Sequence, residues 1–102
     1  MSAKRPRVSR REAERAARKL VQDREKLAAM SPGGARERPI EVTSSAVIEV
    51  RTLGMPCPQC AGQFQIRAHE APGSGLRRVD VTCRQCSARR SLWFRIVSDD
   101  PN

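Results

Sequence analysis

The motif Cys57-Pro58-Gln59-Cys60, followed after twenty-two residues by Cys83-Arg84-Gln85-Cys86, decides the fold of this chain. These four cysteines are the only ones in the 102 residues. A two-residue spacing lets a tight turn aim both sulfurs at one point. Two such turns on neighbouring strands supply four thiolates in a tetrahedron, which is the arrangement that Zn2+ prefers in a closed structural site. The spacing therefore predicts one structural zinc ion bound by Cys57, Cys60, Cys83 and Cys86.

Two alternatives share these four sulfurs. Tetrahedral thiolate also suits iron, so the spacing alone does not separate zinc from iron. Two disulfides would instead need an oxidising compartment. Residues 1–30 contain no apolar run of the kind found in a secretory signal, and no run approaches the roughly 20 residues of a membrane span. These features favour a cytoplasmic protein with metal-bound thiolates.

The size of the chain also favours a metal-dependent fold. The segment expected to form the domain, residues 39–98, is small, and only 38% of the chain is apolar and 3% aromatic. Below roughly 70–80 residues, an apolar core rarely supplies more than about 3–5 kcal/mol. Structural zinc contributes an apparent binding free energy of about 10–16 kcal/mol that is also folding free energy. We therefore expect the domain to unfold when its metal is removed.

Alternation of apolar and polar residues predicts strands after residue 39. One strand is expected over residues 47–53, with Ile48 and Val50 on the same face. The sequence Pro72-Gly73-Ser74-Gly75 predicts a hairpin turn between two further strands. The residues expected to face the core in the last three strands are Phe64, Ile66, Val79, Val81, Leu92, Phe94 and Ile96. The predicted fold class is a small metal-stabilised β domain of three to four antiparallel strands, preceded by one basic amphipathic helix.

Over roughly residues 53–97 the layout resembles the zinc ribbon family, in which two Cys-x-x-Cys turns enclose a hairpin and a closing strand. The Cys-Pro-x-Cys form of the first turn is common in that family. The resemblance implies a zinc site made by four cysteines but no particular function, because ribbons serve in many unrelated assemblies. Such turns often carry glycine directly after the second cysteine. Here Ala61 and Ser87 occupy those places, with Gly62 one residue later in the first turn only.

Two redox alternatives use related motifs. Rubredoxin-like proteins pair two such turns around iron, but the missing glycines and the low aromatic content argue against them. Thioredoxin-type chemistry needs one reactive pair at the start of a helix, whereas both pairs here border predicted strands.

The N-terminal third is predicted to be helical. Residues 1–8 are expected to form a disordered basic tail. Ser9 and Glu12 have the spacing of a capping box, which predicts a helix over residues 9–30. Residues 31–38 contain Pro32, Gly33 and Gly34 and are expected to be a flexible linker, and residues 99–102 a short tail.

Positive charge is concentrated in this N-terminal part. The formal net charge is +9, and residues 1–38 hold 12 of the 20 basic and 5 of the 11 acidic residues. A strong positive charge favours a nucleic acid partner, DNA or RNA, although a merely soluble basic arm is the simpler alternative. At 100° per residue, the candidate phosphate contacts that share one side of the helix are Arg11, Arg15, Arg18, Lys19 and Lys26. Arginine outnumbers lysine 17 to 3, which is typical of a GC-rich bacterial genome.

A second candidate surface lies on the predicted sheet. If the apolar residues face the core, parity sends the intervening side chains outward. The candidate nucleic acid contacts there, and around the second cysteine turn, are Arg67, Arg84, Arg89, Arg90, Trp93 and Arg95. An exposed tryptophan among arginines can stack a base while its neighbours hold phosphates. The alternative for Trp93 is that it covers part of the small core, with the arginines solvating the rim.

Catalysis is not expected. His69 is the only histidine, the zinc site already has four ligands, and no Ser/His/Asp set surrounds it. His69 is therefore predicted to be a surface strand residue. The sequence predicts a non-enzymatic zinc-binding protein that contacts nucleic acid, with no membrane and no small-molecule substrate. The alternative is an adaptor that docks a larger transcription or translation assembly through the ribbon or through Leu20 and Leu27.

Overall fold

The computed structural model describes residues 6–97, and the side chains of residues 9–97. Residues 1–5 of the predicted N-terminal tail and the predicted tail at residues 99–102 lie outside this range. The chain forms one long helix followed by a four-stranded sheet with a short helix beside it. The elements are α1 (Pro6–Met30), β1 (Ile40–Val42), a 3-10 turn (Ser45–Val47), α2 (Ile48–Leu53), β2 (Phe64–Gly73), β3 (Leu76–Cys83) and β4 (Arg89–Ile96).

Helix α1 is longer than predicted at its N-terminal end. It begins at Pro6, where the fixed φ of proline suits the first helical position, so Ser9 lies inside the helix and does not cap it. At the other end, Ser31 Oγ donates to Leu27 O at 2.8 Å and the Ser31 amide to Ala28 O at 3.1 Å. The chain then turns back so closely that a Cβ on Gly34 would lie 1.8 Å from Ala28 O. Only glycine fits this turn.

Residues 31–38 contact the sheet. The Trp93 amide donates to Gly33 O at 2.8 Å, and the Gly33 amide donates to Arg38 O at 2.6 Å. The segment therefore connects α1 to β1 while lying beside β4. The flexibility predicted for it from sequence stays a prediction.

The sheet confirms the predicted fold class, with one change. Its strand order is β1-β4-β3-β2, and the β2–β3 hairpin turns at residues 74–75 as predicted. Strands β2, β3 and β4 are antiparallel, but β1 pairs with β4 in parallel, with Ile40 opposite Phe94. The sheet is thus mixed. A parallel pair is possible because 46 residues of chain, including the hairpin, separate the two strands.

The strand predicted over residues 47–53 is wrong, since this segment is helical. Ser44 Oγ accepts from the Ala46 amide at 3.0 Å and caps the 3-10 turn that leads into α2. In α2, Ile48 and Thr52 are four residues apart and both are buried, whereas Val50 is 73% exposed. Thr52 Oγ1 donates to Ile48 O at 2.8 Å, so its buried hydroxyl is satisfied within the helix.

A β-bulge in β2 reverses the predicted orientation of His69. Ile66 pairs with Val81, but the next pairs are Ala68 with Asp80 and His69 with Val79, which leaves Arg67 as the extra residue. His69 therefore shares the face of the buried Val79 and is not a surface residue. Its side chain is only 16% exposed, and its Nδ1 lies 3.0 Å from Glu49 Oε2 on α2.

The core lies between one face of the sheet and α2. Seven predicted core residues fit, since Phe64, Val79, Val81, Leu92 and Phe94 are buried and Ile66 and Ile96 pack against them. The other buried members are Ile40, Val42, Ile48, Cys57 and Cys83. Two cysteines thus belong to the core itself.

Candidate metal centre

The two Cys-x-x-Cys motifs fold into the same loop. In the first cysteine turn (residues 57–62), the Cys57 amide donates to Gly62 O at 2.9 Å and the Ala61 amide to Cys57 O at 2.7 Å. In the second (residues 83–88), the Cys83 amide donates to Ala88 O at 2.9 Å, and the amide four residues after Cys83 returns to Cys83 O at 3.0 Å. Identical spacing therefore gives identical backbone hydrogen bonding.

Both loops also need one left-handed residue. Ala61 has φ of 64° and Ser87 has φ of 65°, at the two positions where related turns often carry glycine. A left-handed conformation costs a residue with a Cβ roughly 1–2 kcal/mol. The turns keep their shape despite that cost, because their hydrogen bonds and the sulfur cluster fix the conformation.

The four sulfurs converge on one point. All four Sγ atoms lie within 4.8 Å of one another, with Cys57 to Cys86 at 3.7 Å and Cys60 to Cys83 at 3.4 Å. A tetrahedron with Zn–S bonds of about 2.3 Å has sulfurs about 3.8 Å apart. The cluster thus has the dimensions of a single tetrahedral zinc–thiolate site. The cysteines are not joined by disulfides.

Backbone amides surround the sulfurs as hydrogen-bond donors. The donor and acceptor pairs are Gln59 to Cys57 Sγ at 3.4 Å, Gly62 to Cys60 Sγ at 3.3 Å and Gln85 to Cys83 Sγ at 3.3 Å. Amides aimed at sulfur favour the thiolate, which is the form that binds a metal.

Hydrogen bonds and burial shift the pKa values of two of these thiols in opposite directions. Hydrogen bonds from the Cys86 and Gln85 amides, acting against desolvation, lower the pKa of Cys83 to about 6. The Gly62 amide lowers the pKa of Cys60, but desolvation and hydrogen bonds with the other three thiols outweigh it and raise that pKa to about 12. Four adjacent thiolates repel one another, so full deprotonation needs a cation among them. This donor set fits Zn2+, and the four cysteines form a candidate site for one zinc ion.

Gly62 is a residue of the site that the cysteine spacing did not reveal. A Cβ at this position would lie 2.9 Å from Cys83 Sγ and 3.1 Å from Cys60 Sγ. Its counterpart in the second turn, Ala88, has a side chain that packs against the core. The available signal was the presence of glycine at this place in one turn only.

Helix α1 docks on the first cysteine turn through a polar contact, which we call the helix clamp. Gln59 Nε2 donates to Val21 O at 3.0 Å and to Glu25 Oε2 at 2.6 Å. In return, Arg24 Nη1 donates to Gln59 O at 2.6 Å. The docking stripe is therefore Val21, Arg24, Glu25 and Ala28, with helical spacing i, i+3, i+4, i+7. It differs from the apolar side predicted from sequence, and Leu20 and Leu27 remain 49% and 67% exposed.

Arg90 completes the docking of α1. Its Nη2 donates to Glu25 Oε2 at 2.6 Å, and its side chain is only 9% exposed. Desolvation raises the pKa of Glu25, but hydrogen bonds from Gln59 and Arg90 and the charge of Arg90 outweigh it and hold the pKa below its usual value. Arg90 is thus engaged in an intramolecular ion pair, whereas the other candidate arginines of the sheet have none with the side chains of residues 9–97.

The candidate basic residues of α1 are exposed to solvent. Their positions on the observed helix place them on one side, and only Lys19 has an ion pair among them in the described residues, with Asp23 at 3.1 Å. These residues are Arg11, Arg15, Arg18, Lys19 and Lys26.

Most of the candidate nucleic acid contacts on the sheet lie on the surface opposite the core. We call the sheet surface opposite the core the open face. Its side chains include Glu41 of β1, Arg67 and Glu70 of β2, Arg78, Asp80 and Thr82 of β3, and Arg89, Ser91, Trp93 and Arg95 of β4. Arg67, Arg89 and Arg95 are exposed, as is Arg84 in the second cysteine turn. Trp93 is half-buried, with the guanidinium carbons of Arg36 and Arg78 at 5.8 and 6.0 Å from its ring centroid. Trp93 therefore does not cover the core.

None of the helices in residues 6–97 is both long enough and apolar enough to cross a bilayer. Comparison of the chain with known protein families, with curated proteins and with solved structures finds no match.

Proposed function

We propose that this chain is a non-enzymatic, cytoplasmic protein of the zinc ribbon type that binds nucleic acid. Helix α1 and the arginines around the second cysteine turn make the contacts. The zinc ion is structural, because four cysteines complete a tetrahedral site and leave no open position for a substrate.

The observation that carries this proposal is the exposed N-terminal half of α1. All twelve side chains of residues 9–20 are exposed, and they include five basic and two acidic residues. Among the side chains of residues 9–97, those that hold α1 against the rest of the chain lie near its C-terminal end, in the helix clamp and the pair with Arg90. A projecting helix with excess positive charge and a thin apolar stripe suits a polyanion, because phosphate contacts need charge rather than apolar area.

The test is charge reversal on the helix. Each duplex phosphate contact contributes about 0.9 to the slope of log affinity against log salt, so two lost contacts cost about 60-fold at roughly 0.1 M salt. We expect Arg11→Glu with Arg15→Glu to weaken duplex DNA binding by about this factor, measured by fluorescence anisotropy, with zinc content unchanged.

The matched control reverses two exposed arginines elsewhere, Arg38→Glu with Arg51→Glu, which changes the net charge equally. If both pairs of substitutions weaken binding to the same extent, the loss reflects the total charge of the protein and α1 has no special role. If neither changes it, the proposal is wrong.

A second candidate function is a protein-interaction adaptor, which the exposed apolar residues of α1 favour. Leu27 and Met30 are both exposed, and Leu27 borders a groove of about 230 Å3 between α1 and the sheet. The groove is mainly apolar, with Met55, Pro58 and Leu92 among its lining residues. For an adaptor, nucleic acid binding is weak and indifferent to the charge of α1, so the same anisotropy experiment separates the two functions.

A further inference from the structure

The open face carries a groove that the docking of α1 leaves uncovered. Helix α1 lies on the core side, since Glu25 pairs with Arg90, which shares the face of Val81 and Leu92. On the opposite side, next to the second cysteine turn, the groove has a volume of about 740 Å3. Val81 and Arg90 of the core side also border the groove, and its other lining residues belong to the open face or to the second cysteine turn.

The groove is built from guanidinium and hydroxyl groups. Arg67 and Arg89 lie on β2 and β4, and Thr82 lies between them on β3, within 3.4 Å of Arg67 Nε. Ser87 and Ser91 add two more hydroxyls. Arginine with short hydroxyl side chains is a typical donor set for phosphate oxygens.

The acidic residue in the groove does not cancel this charge. Asp80 ion pairs with Arg78 at 3.3 Å and accepts from Ser91 Oγ at 2.7 Å. Its carboxylate is thus partly compensated by a neighbour on the same strand, since Arg78 also pairs with Glu70 of β2 at 2.9 Å. Arg89, in contrast, has no ion-pair partner within residues 6–97, which leaves its charge available to a ligand.

An aromatic surface continues the groove along β4. Trp93 is two residues beyond Ser91 on the same face, a step of about 6.6 Å along a strand. Arg78 and the exposed Arg36 both lie within cation–π distance of its ring. Indole and guanidinium planes are the groups on which single-stranded bases stack.

We propose that the open face binds single-stranded nucleic acid, with phosphates between Arg67 and Arg89 and a base against Trp93 and its arginines. The width of the sheet favours a single strand. Four strands at about 4.8 Å spacing span more than the roughly 12 Å major groove, which admits a helix or a two-stranded ribbon. This inference rests on the proposed nucleic acid function. It adds that the nucleic acid is single-stranded and that the open face binds it.

The single tryptophan makes the test specific to this face. The zinc-loaded full chain is titrated with an oligothymidylate of about 16 nucleotides, the upper site size of single-strand-binding folds, and with a duplex of equal length. Oligothymidylate should quench Trp93 fluorescence. Each single-strand phosphate contact contributes about 0.7 to the salt slope, so Arg89→Ala should cost about fivefold at roughly 0.1 M salt, and Arg67→Ala with Arg89→Ala about 25-fold.

The control for Arg89→Ala is Arg51→Ala, which removes an exposed arginine of α2 and should change affinity less than about twofold. The inference is overturned if oligothymidylate binds without quenching Trp93, or if the double variant keeps its affinity. It is also overturned if the double variant loses duplex and single-strand binding equally. If oligothymidylate binding instead responds to Arg11→Glu with Arg15→Glu alone, the proposed function stands and only the open face is wrong. If the wild type binds neither oligonucleotide at low salt, both proposals fail.

Discussion

Replacing Gly62 with alanine should weaken zinc binding without altering any ligand. The added Cβ would lie 2.9 Å from Cys83 Sγ and from Gln85 Cβ, well inside the about 3.5–4.0 Å at which carbon atoms pack. The loop cannot move aside freely, because the Gly62 amide donates to Cys60 Sγ and its carbonyl accepts from the Cys57 amide. Overpacking of this kind costs about 1–3 kcal/mol. That cost corresponds to about 5- to 150-fold in the zinc dissociation constant.

The assay is competition for zinc against a chromophoric chelator at fixed pH. The matched control is Gly73→Ala in the hairpin, where a Cβ would meet no atom within 4 Å, and its zinc affinity should equal that of the wild type. A Gly62→Ala protein that competes within about twofold of the wild type would refute the steric reasoning.

Three further outcomes are expected. Chelation of the metal should unfold the sheet, followed by circular dichroism, because the zinc contributes about 10–16 kcal/mol of apparent binding free energy; an unchanged spectrum after complete removal would contradict this. Ala61→Gly and Ser87→Gly should each raise the free energy of unfolding, by up to about 1–2 kcal/mol in thermal denaturation, since both positions are left-handed; lower stability would show that the side chains themselves are needed. The Glu25→Gln protein should be less stable than the wild type at neutral pH. Because the folded pKa of Glu25 is lowered, this difference is present above about pH 4.5 and shrinks as the pH falls further; a difference that grows in acid would exclude the ion pair with Arg90 as its cause.

The cysteine centre and the last two strands could be predicted because local patterns specify them. Two-residue spacing fixes the turn, and strict alternation in β3 and β4 fixes which residues are buried. Val79, Val81, Leu92 and Phe94 are buried as predicted, since a single strand register satisfies all of them at once.

Residues 47–53 show where alternation misleads. Ile48 and Val50 fit a strand, but Ile48 and Thr52 fit a helix equally well over so short a segment. The capping hydroxyl of Ser44 and the burial of Thr52 decide for the helix. Helix propensity alone could not decide between strand and helix, because the free-energy cost of β-branched residues in a helix is small and packing can override it.

Polar contacts between residues far apart in the chain could not be predicted from the sequence either. Gln59 lies between two predicted ligands, and nothing local indicates that its side chain binds a helix 34 residues earlier in the chain. The same holds for Arg90, which has the pattern of a surface arginine but is paired with Glu25. The orientation of His69 could not be predicted either, since the extra residue at Arg67 is visible only in the pairing of β2 with β3.

The helix clamp fixes α1 next to the metal centre, so a small rotation of the helix at this point moves its N-terminal end much further. About 24 Å of helix separates Ser9 from Glu25, so a tilt of about 10° at the clamp moves the far end by about 4 Å. Gln59 lies between two zinc ligands and donates to Val21 O, so the position of the helix depends on the metal centre. A zinc-loaded chain therefore presents its arm and its open face at a fixed spacing, and a single ligand that touches both gains from their effective concentration. Loss of the metal, which we expect to unfold the sheet, would remove both this fixed spacing and the open face itself.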